Sequence, residues 1–345
     1  MIFEPRKPQA RGHGIRAVDA TERRFLSVAG LLLLADCTGW IMSSMSDLKL
    51  FRLVDGRATE LSGSSVALER HLQSAIEANM EALFGVRFLA SEYSTGPKHR
   101  GRIDSLGIDD TGSPVIFEYK RARDENVINQ GLFYMDWLLD HQAEFKLLVM
   151  DRLGTEVAKQ IDWTSPRLVC VAGDFTRYDE HAVEQNNHNI ELVRYRDFNG
   201  ELLALELLTA VNSRSVAHTT SAGSAADEPT MDDRLAKATE SLRNLYADLD
   251  AQLMSFGDDV QKTTRKLYFA YKRLKNFACV EVHPHNRTLL VYLKVDPDSV
   301  RLEPGFSRDV RNIGHFGTGS LELRLKNSDD LAKAEKLLRA SYDAS

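Results

Sequence analysis

At 345 residues the chain exceeds the usual size of one hydrophobic core, and its 43% hydrophobic and 27% charged residues are ordinary globular material. The net charge of −6 supplies no global basic field for capturing nucleic acid, although local patches can still hold phosphate. Three widely spaced cysteines, Cys37, Cys170 and Cys279, argue against a disulfide scaffold or a cysteine-built zinc site and suit a reducing, cytoplasmic setting. No apolar run is long enough for a secure bilayer span.

Arg23 and Arg24 precede the apolar run Phe25 to Ala35, which has the charge and length of a signal-peptide core, yet Asp36 before Cys37 fits a lipoprotein cleavage box poorly. The other reading takes residues 1–44 as a loose N-terminal extension or an over-extended start, with the ordered protein beginning at residue 45. From Leu48 a brief alternation turns at Asp55-Gly56, as a first strand or hairpin does. Ser64 or Ser65 can cap a helix carrying Leu68, Leu72, Ile76, Met80, Leu83 and Phe84 on one face, ended by Gly85. Strands around Arg100 to Ile108 and Val115 to Lys120 flank the turn formers Asp109 to Pro114, which predicts a hairpin. A helix from about Glu125 to Gln142 follows. Strands at Phe145 to Met150 and Leu168 to Ala172 come next, with a short helix between them. A helix near Tyr178 to Asn187 and strands at Ile190 to Tyr195 and Leu202 to Leu208 complete the segment. Apolar strands alternating with helices indicate an α/β domain over residues 45–210, a mixed sheet covered on both faces.

Residues 211–232 are rich in Ser, Thr, Ala and Gly with almost no large apolar side chains, the composition of a flexible linker. Residues 233–345 read as a smaller α+β accessory domain. Helices are expected near Leu235 to Phe256 and Asp259 to Phe277, strands at Cys279 to Val282, Thr288 to Val295 and Leu321 to Leu325, and a last helix from Asp329 to Tyr342.

The chemistry is carried by Gly101-Arg102-Ile103-Asp104, the turn, and Val115-Ile116-Phe117-Glu118-Tyr119-Lys120. Side chains alternate along a strand, so Glu118 and Lys120 share a face, and the hairpin can bring Asp104 to the same edge. Paired carboxylates repel unless a cation sits between them, and hard oxygen ligands suit Mg²⁺ or Mn²⁺. A bare Glu-x-Lys is common on solvent-facing strands. Here the apolar Ile116 and Phe117 make charged neighbours costly to cover without a partner or a function.

These residues resemble the active-site motif of the PD-(D/E)XK nuclease superfamily. More narrowly, Gly101-Arg102-Ile103-Asp104, Glu118-Tyr119-Lys120 and Gln130-Gly131-Leu132-Phe133-Tyr134-Met135 are similar to NucS-like DNA endonucleases, over residues 69–135. Tyr119 departs from a commonly aliphatic position and Gly131-Leu132-Phe133 from a more polar one; neither change removes a metal ligand. The resemblance implies a restriction-endonuclease-like mixed sheet flanked by helices. It implies Asp104 and Glu118 as metal ligands, Lys120 acting on the attacking water and Glu69 supporting the metal shell through water. Gln130 and Tyr134, four apart, would face the site from one helix face. It also implies Mg²⁺ as cofactor, with Mn²⁺ as substitute, and in-line hydrolysis leaving a 5′-phosphate and a 3′-hydroxyl. Without the resemblance, Gln130 and Tyr134 are a polar patch on an amphipathic helix.

Lys98, His99, Arg100 and Arg102 precede Asp104, and Arg121 and Arg123 follow Lys120. Arg100, Arg102 and Arg121 are candidate phosphate-backbone contacts. The alternative is a solvated strand end balanced by Asp109, Asp110, Asp124 and Glu125. The C-terminal domain is similar to a small domain of uncharacterised function that often follows nuclease-like domains in bacterial proteins. Its Lys262, Arg265, Lys266, Lys272, Arg273 and Lys275, interleaved with Tyr268, Phe269, Tyr271 and Phe277, read as a nucleic-acid surface or, more plainly, as the wet face and core of a helix. His283 to Arg287 reads as a turn and Gly314 to Gly319 as a loop. The expected function is a metal-dependent DNA endonuclease hydrolysing phosphodiester bonds in repair or defence, with RNA left open as a substrate and a homodimer admissible. The rival is a non-catalytic nucleic-acid or protein-binding module that kept the fold, against which intact Asp104, Glu118 and Lys120 argue.

Overall fold

In the computed structural model, residues 48–63, 69–121, 126–211, 230–315 and 317–345 are described. The N-terminal extension, the cap at Ser64 or Ser65, Arg123 and nearly all of the expected linker lie outside them. β1 (Leu50–Val54) and β2 (Arg57–Leu61) form the expected hairpin. Asp55 and Gly56 both take positive φ (49° and 76°), the turn geometry that matches strand twist. The long helix expected next is divided at Asn79 into α1 (Glu69–Ala78) and α2 (Met80–Phe84), and Gly85 ends it in the left-handed conformation. β3 (Val86–Ser94), an edge strand not anticipated from the sequence, follows, with the single turn α3 (Gly96–His99) after it.

β4 (Arg102–Asp109) and β5 (Pro114–Lys120) make the predicted hairpin. Its turn is fixed locally: Asp109 Oδ1 accepts the backbone N–H groups of Thr111 and Ser113 at 2.9 Å each and the Thr111 hydroxyl at 2.7 Å. α4 (Val127–Asp140), α5 (Gln142–Leu153) and α6 (Thr155–Lys159) come next. The strand expected at Phe145 to Met150 is therefore part of α5. Only Phe145 and Val149, four apart, are buried there, while Leu147 and Met150 are exposed, which is helical periodicity. β6 (Arg167–Ala172), α7 (Arg177–Glu184), β7 (Asn189–Phe198) and β8 (Leu202–Val211) complete a six-stranded sheet of order β3-β4-β5-β6-β7-β8. β5, β6 and β7 run parallel and the outer pairs antiparallel. Alternate strand residues feed two cores. Phe117, Tyr119, Val169 and Val193 pack with Leu72, Ile76 and Phe84 of α1 and α2. Ile116, Leu168 and Leu192 pack with Met135, Trp137 and Leu138 of α4. This is the mixed α/β sheet, covered on both faces, that the sequence predicts.

α8 (Met231–Ala236) and α9 (Glu240–Met254) open the C-terminal lobe. The helix expected at Asp259 to Phe277 is instead β9 (Gln261–Thr264), β10 (Phe269–Lys272) and the start of β11 (Asn276–His283). β12 (Thr288–Leu293), β13 (Ser307–Asp309), β14 (Leu321–Leu325) and α10 (Ser328–Asp343) follow. The strands form an antiparallel sheet, β13-β14-β12-β11-β10-β9, whose core takes Leu245, Leu249 and Leu253 of α9 and Ala334 and Leu338 of α10. No helix among the described residues is long and apolar enough to cross a membrane.

The two sheets meet through buried charge. Lys272 bonds Glu191, which also takes the Arg167 guanidinium at 2.8 and 3.0 Å, and Arg167 reaches Asp109 at 3.1 Å. Arg265 bonds Asp162 at 3.0 Å, and Asn276 and Lys294 both bond Asp110 at 2.7 Å. Within the same lobe Lys262 pairs with Asp250 and Arg273 with Asp259. Lys262, Arg265, Lys272 and Arg273, considered as part of a nucleic-acid surface, are thus paired with acids of the protein itself. Asp109 and Asp110 lie at the turn end of the β4–β5 hairpin, whereas Asp104, Glu118 and Lys120 lie toward its other end.

Candidate active site

Asp104 stands near the start of β4 and Glu118 near the end of β5, and the antiparallel hairpin brings them together. The Asp104 N–H points at Glu118 Oε1 at 3.5 Å, and Asp104 Oδ2 accepts the Tyr119 N–H at 3.0 Å. Neither strand register pairs Asp104. The β4–β5 register begins at Ser105 and Phe117, and the β3–β4 register passes from Ser91–Ser105 to Tyr93–Ile103. The residue opposite, Glu92, has φ 51°, a left-handed conformation uncommon for glutamate.

Glu118 is fully buried, and its Oε2 has no hydrogen-bond partner. Burial, reinforced by the Asp104 charge, pushes the Glu118 carboxyl up to about 9. Burial also pushes Asp104 up to about 6, with the Tyr119 N–H pulling the other way. Hard oxygen donors side by side, one of them orphaned, fit a hard divalent cation. Among the described residues no group of three or more His, Cys, Asp or Glu side chains is arranged to hold a metal ion.

Lys120 ends β5, and its Nζ lies 3.3 Å from Glu69 Oε1 on the first turn of α1. Burial works against the ammonium, but the carboxylates of Glu69, Asp104 and Glu118 together outweigh it and hold the Lys120 pKa above its ordinary value. Tyr134 is buried; its hydroxyl accepts the Arg102 N–H at 3.2 Å and sits 3.4 Å from Gln130 Nε2. A Cβ on Gly101 would lie 2.4 Å from the Tyr134 ring, so the strand enters the site only because that residue is glycine. Gln130 and Tyr134 share a face toward the site, and the contacts they show there pin the start of β4.

A cleft of about 670 Å³ is lined by Glu69, Arg70, Gln73, Glu92, Ser94, Arg100, Gly101, Arg102, Asp104, Gln130 and Tyr134, whereas Glu118 and Lys120 are not part of its lining. Arg102 forms a 2.7 Å ion pair with Glu92. Arg121 is exposed and is not part of the lining. Arg70, Gln73, Glu92 and Ser94 are not among the residues predicted from the sequence. A signal for Gln73 is present: Glu69, Gln73 and Glu77 recur every four residues, a polar row beside the apolar face of α1.

Residues 231–345 match the model of a family described as a domain of unknown function, DUF5655. An uncharacterised protein of Haemophilus influenzae is 25% identical over 304 residues, covering 85% of this chain and 98% of that protein. Two solved structures are similar over part of the chain. One is a repair endonuclease from Pyrococcus abyssi, at 19% identity and a TM-score of 0.26, covering 40% of this chain and 51% of that one. The other is a complex of EndoMS with double-stranded DNA, at 20% identity and a TM-score of 0.22, covering 39% of this chain and 47% of that one. The chain thus spans about half the length of these two structures.

Proposed function

We propose that the chain is a metal-dependent nuclease that hydrolyses phosphodiester bonds, with DNA as its substrate. The observation that carries this reading is half-buried Asp104 against buried Glu118, with its orphaned oxygen, beside the Lys120–Glu69 ion pair, at a cleft that Asp104 and Glu69 line together with three arginines. Asp104 and Glu118 would hold Mg²⁺, or Mn²⁺ in its place. Such a cation supplies Lewis-acid activation and neutralises charge developing on the phosphate.

The side chains supply the rest. Arg70, Arg100 and Arg102 offer guanidinium groups to the phosphate oxygens, and Arg102 would leave Glu92 to do so. Lys120, kept protonated by Glu69, places an ammonium beside the carboxylates, where it stabilises negative charge on the attacking oxygen. Glu69 can take a proton through an intervening water. Gln130 and Tyr134 hold the strand that carries Asp104.

The test is cleavage of a panel of single-stranded, duplex, branched and mismatched DNA, with RNA beside it, by purified protein in Mg²⁺ or Mn²⁺. Asp104→Asn should abolish cleavage while leaving the fold intact. Lys120→Ala should lose far more turnover than DNA affinity, since one lysine is a small share of phosphate binding but sits at the chemistry. Tight DNA binding with no cleavage of any member would assign the chain to the non-catalytic binding modules instead.

A further inference from the structure

We infer that Gln73 is a positioning residue that sets the main chain of Asp104, an inference that rests on the proposed nuclease site. Asp104 falls outside the registers of both neighbouring strands, so the sheet alone does not fix its peptide groups. Its N–H is directed to Glu118 Oε1, and its carbonyl oxygen accepts the Gln73 side-chain amide at 2.8 Å. Gln73 is 7% exposed, and the same Nε2 also reaches Ser91 Oγ at 3.1 Å and Glu77 Oε1 at 3.0 Å. One amide therefore ties α1 to β3 and to β4 at the level where Glu92 adopts its left-handed conformation.

The row on α1 explains why the side chain is an amide. Glu69 meets Lys120, Gln73 meets Asp104, and Glu77 accepts the Ser105 hydroxyl at 2.5 Å. Successive turns of the helix thus clip onto successive levels of the catalytic hairpin. The middle position faces a carbonyl, a hydroxyl and a carboxylate, all able to accept, so it must donate and yet add no charge beside Asp104. Glutamine does both. A lysine would add a charge, and an ionised glutamate could not donate. Gln73 touches no reacting atom; it acts by fixing the residue that holds one of the two metal-binding carboxylates, and outer-shell partners of this kind change metal affinity or activity by about 10- to 100-fold.

The test compares Gln73→Met, which keeps length and loses the donor, with Glu77→Ala, which removes the Ser105 contact one turn away and the Gln73–Glu77 bond but leaves the Gln73–Asp104 bond. Three measurements on the full chain decide it. Gln73→Met should weaken Mn²⁺ binding, read by calorimetry or electron paramagnetic resonance with the metal alone, by about tenfold or more, and Glu77→Ala by less than about twofold. It should lower kcat by about tenfold or more with KM for DNA within about twofold. In metal-free protein it should speed hydrogen exchange at the Tyr119 amide, which donates to Asp104, by about tenfold without a matching change at Val115 to Phe117. Equal effects of the two variants on Mn²⁺ affinity and on Tyr119 exchange would overturn the inference, because a general loss of packing would then explain both. If the wild type neither binds Mn²⁺ nor cuts DNA, the nuclease reading fails. The exchange comparison still decides whether Gln73 sets Asp104.

Discussion

Glu118→Gln should make the metal-free protein more stable at neutral pH while abolishing the proposed metal-dependent cleavage. The wild-type carboxyl is fully buried, touches the Asp104 main chain and has an orphaned oxygen, and its pKa is pushed from 4.5 up to about 9. At about pH 7 the folded chain must hold a proton on Glu118 that the unfolded chain has released. That costs about 1.4 kcal/mol for each pH unit above the unfolded pKa, or about 3 kcal/mol. A raised carboxyl pKa means that this cost is absent below about pH 4.5, grows as pH rises, and levels off only above about pH 9. Glutamine is isosteric and carries no such penalty. Chemical denaturation in EDTA at several pH values between about 5 and 8 should therefore show the variant ahead by about 3 kcal/mol near pH 7, with the gap closing toward pH 5. Adding Mn²⁺ should reverse the order, because only the wild type gains binding free energy. A variant that is less stable than wild type in EDTA at pH 7, or a gap that does not depend on pH, would refute the argument that Glu118 is held neutral by burial.

Glu191→Gln should destabilise the chain by about 3 kcal/mol or more at pH 7, since it breaks a buried ionic network around Arg167 and Lys272. The Glu191 pKa is drawn from 4.5 down to about 2, Arg167 and Lys272 outweighing burial, so this contribution should fade as pH falls through that window; denaturation at about pH 3 and pH 7 checks the sign. Gly101→Ala should cost about 1–3 kcal/mol and impair cleavage, because its Cβ meets the Tyr134 ring; Tyr134→Ala in the same chain should restore part of the stability, as a double-mutant cycle would show. Arg102→Ala should raise KM for DNA and flatten its salt dependence, and an unchanged salt slope would remove Arg102 from the phosphate contacts.

Local features were legible in the residues themselves. Asp55-Gly56 and Asp109 to Pro114 specify their turns through φ preferences and side-chain bonds formed within a few positions. The alternation of β5 placed Glu118 beside Asp104 because a hairpin is a short-range pairing. Where an apolar run was short, periodicity was ambiguous. Phe145 to Met150 reads as a strand until its burial pattern is known, and Gln261 to Phe277 has the residues of an amphipathic helix yet pairs as strands with β11 and its neighbours. Such choices turn on partners far along the chain.

The sequence by itself determined the hairpin that sets Asp104 against Glu118, and the alternation of helices and strands that makes an α/β sheet. Only the tertiary structure decided which contacts the other candidate residues make and added Gln73 to them. Gln73 reaches Asp104 across 31 positions and Lys120 meets Glu69 across 51, separations at which spacing carries no signal. The strain at Glu92 is likewise invisible in the chain, because a left-handed glutamate is imposed by the sheet around it. The cations from Lys262 to Lys275 show the same limit. Composition marks them as candidates for phosphate, but Arg265 and Lys272 are taken up by acids more than 80 residues away, and in the fold Lys272 is buried against Glu191 at the sheet-to-sheet contact. Charge is a property of the residue; whether it faces a ligand or a neighbour is a property of the packing.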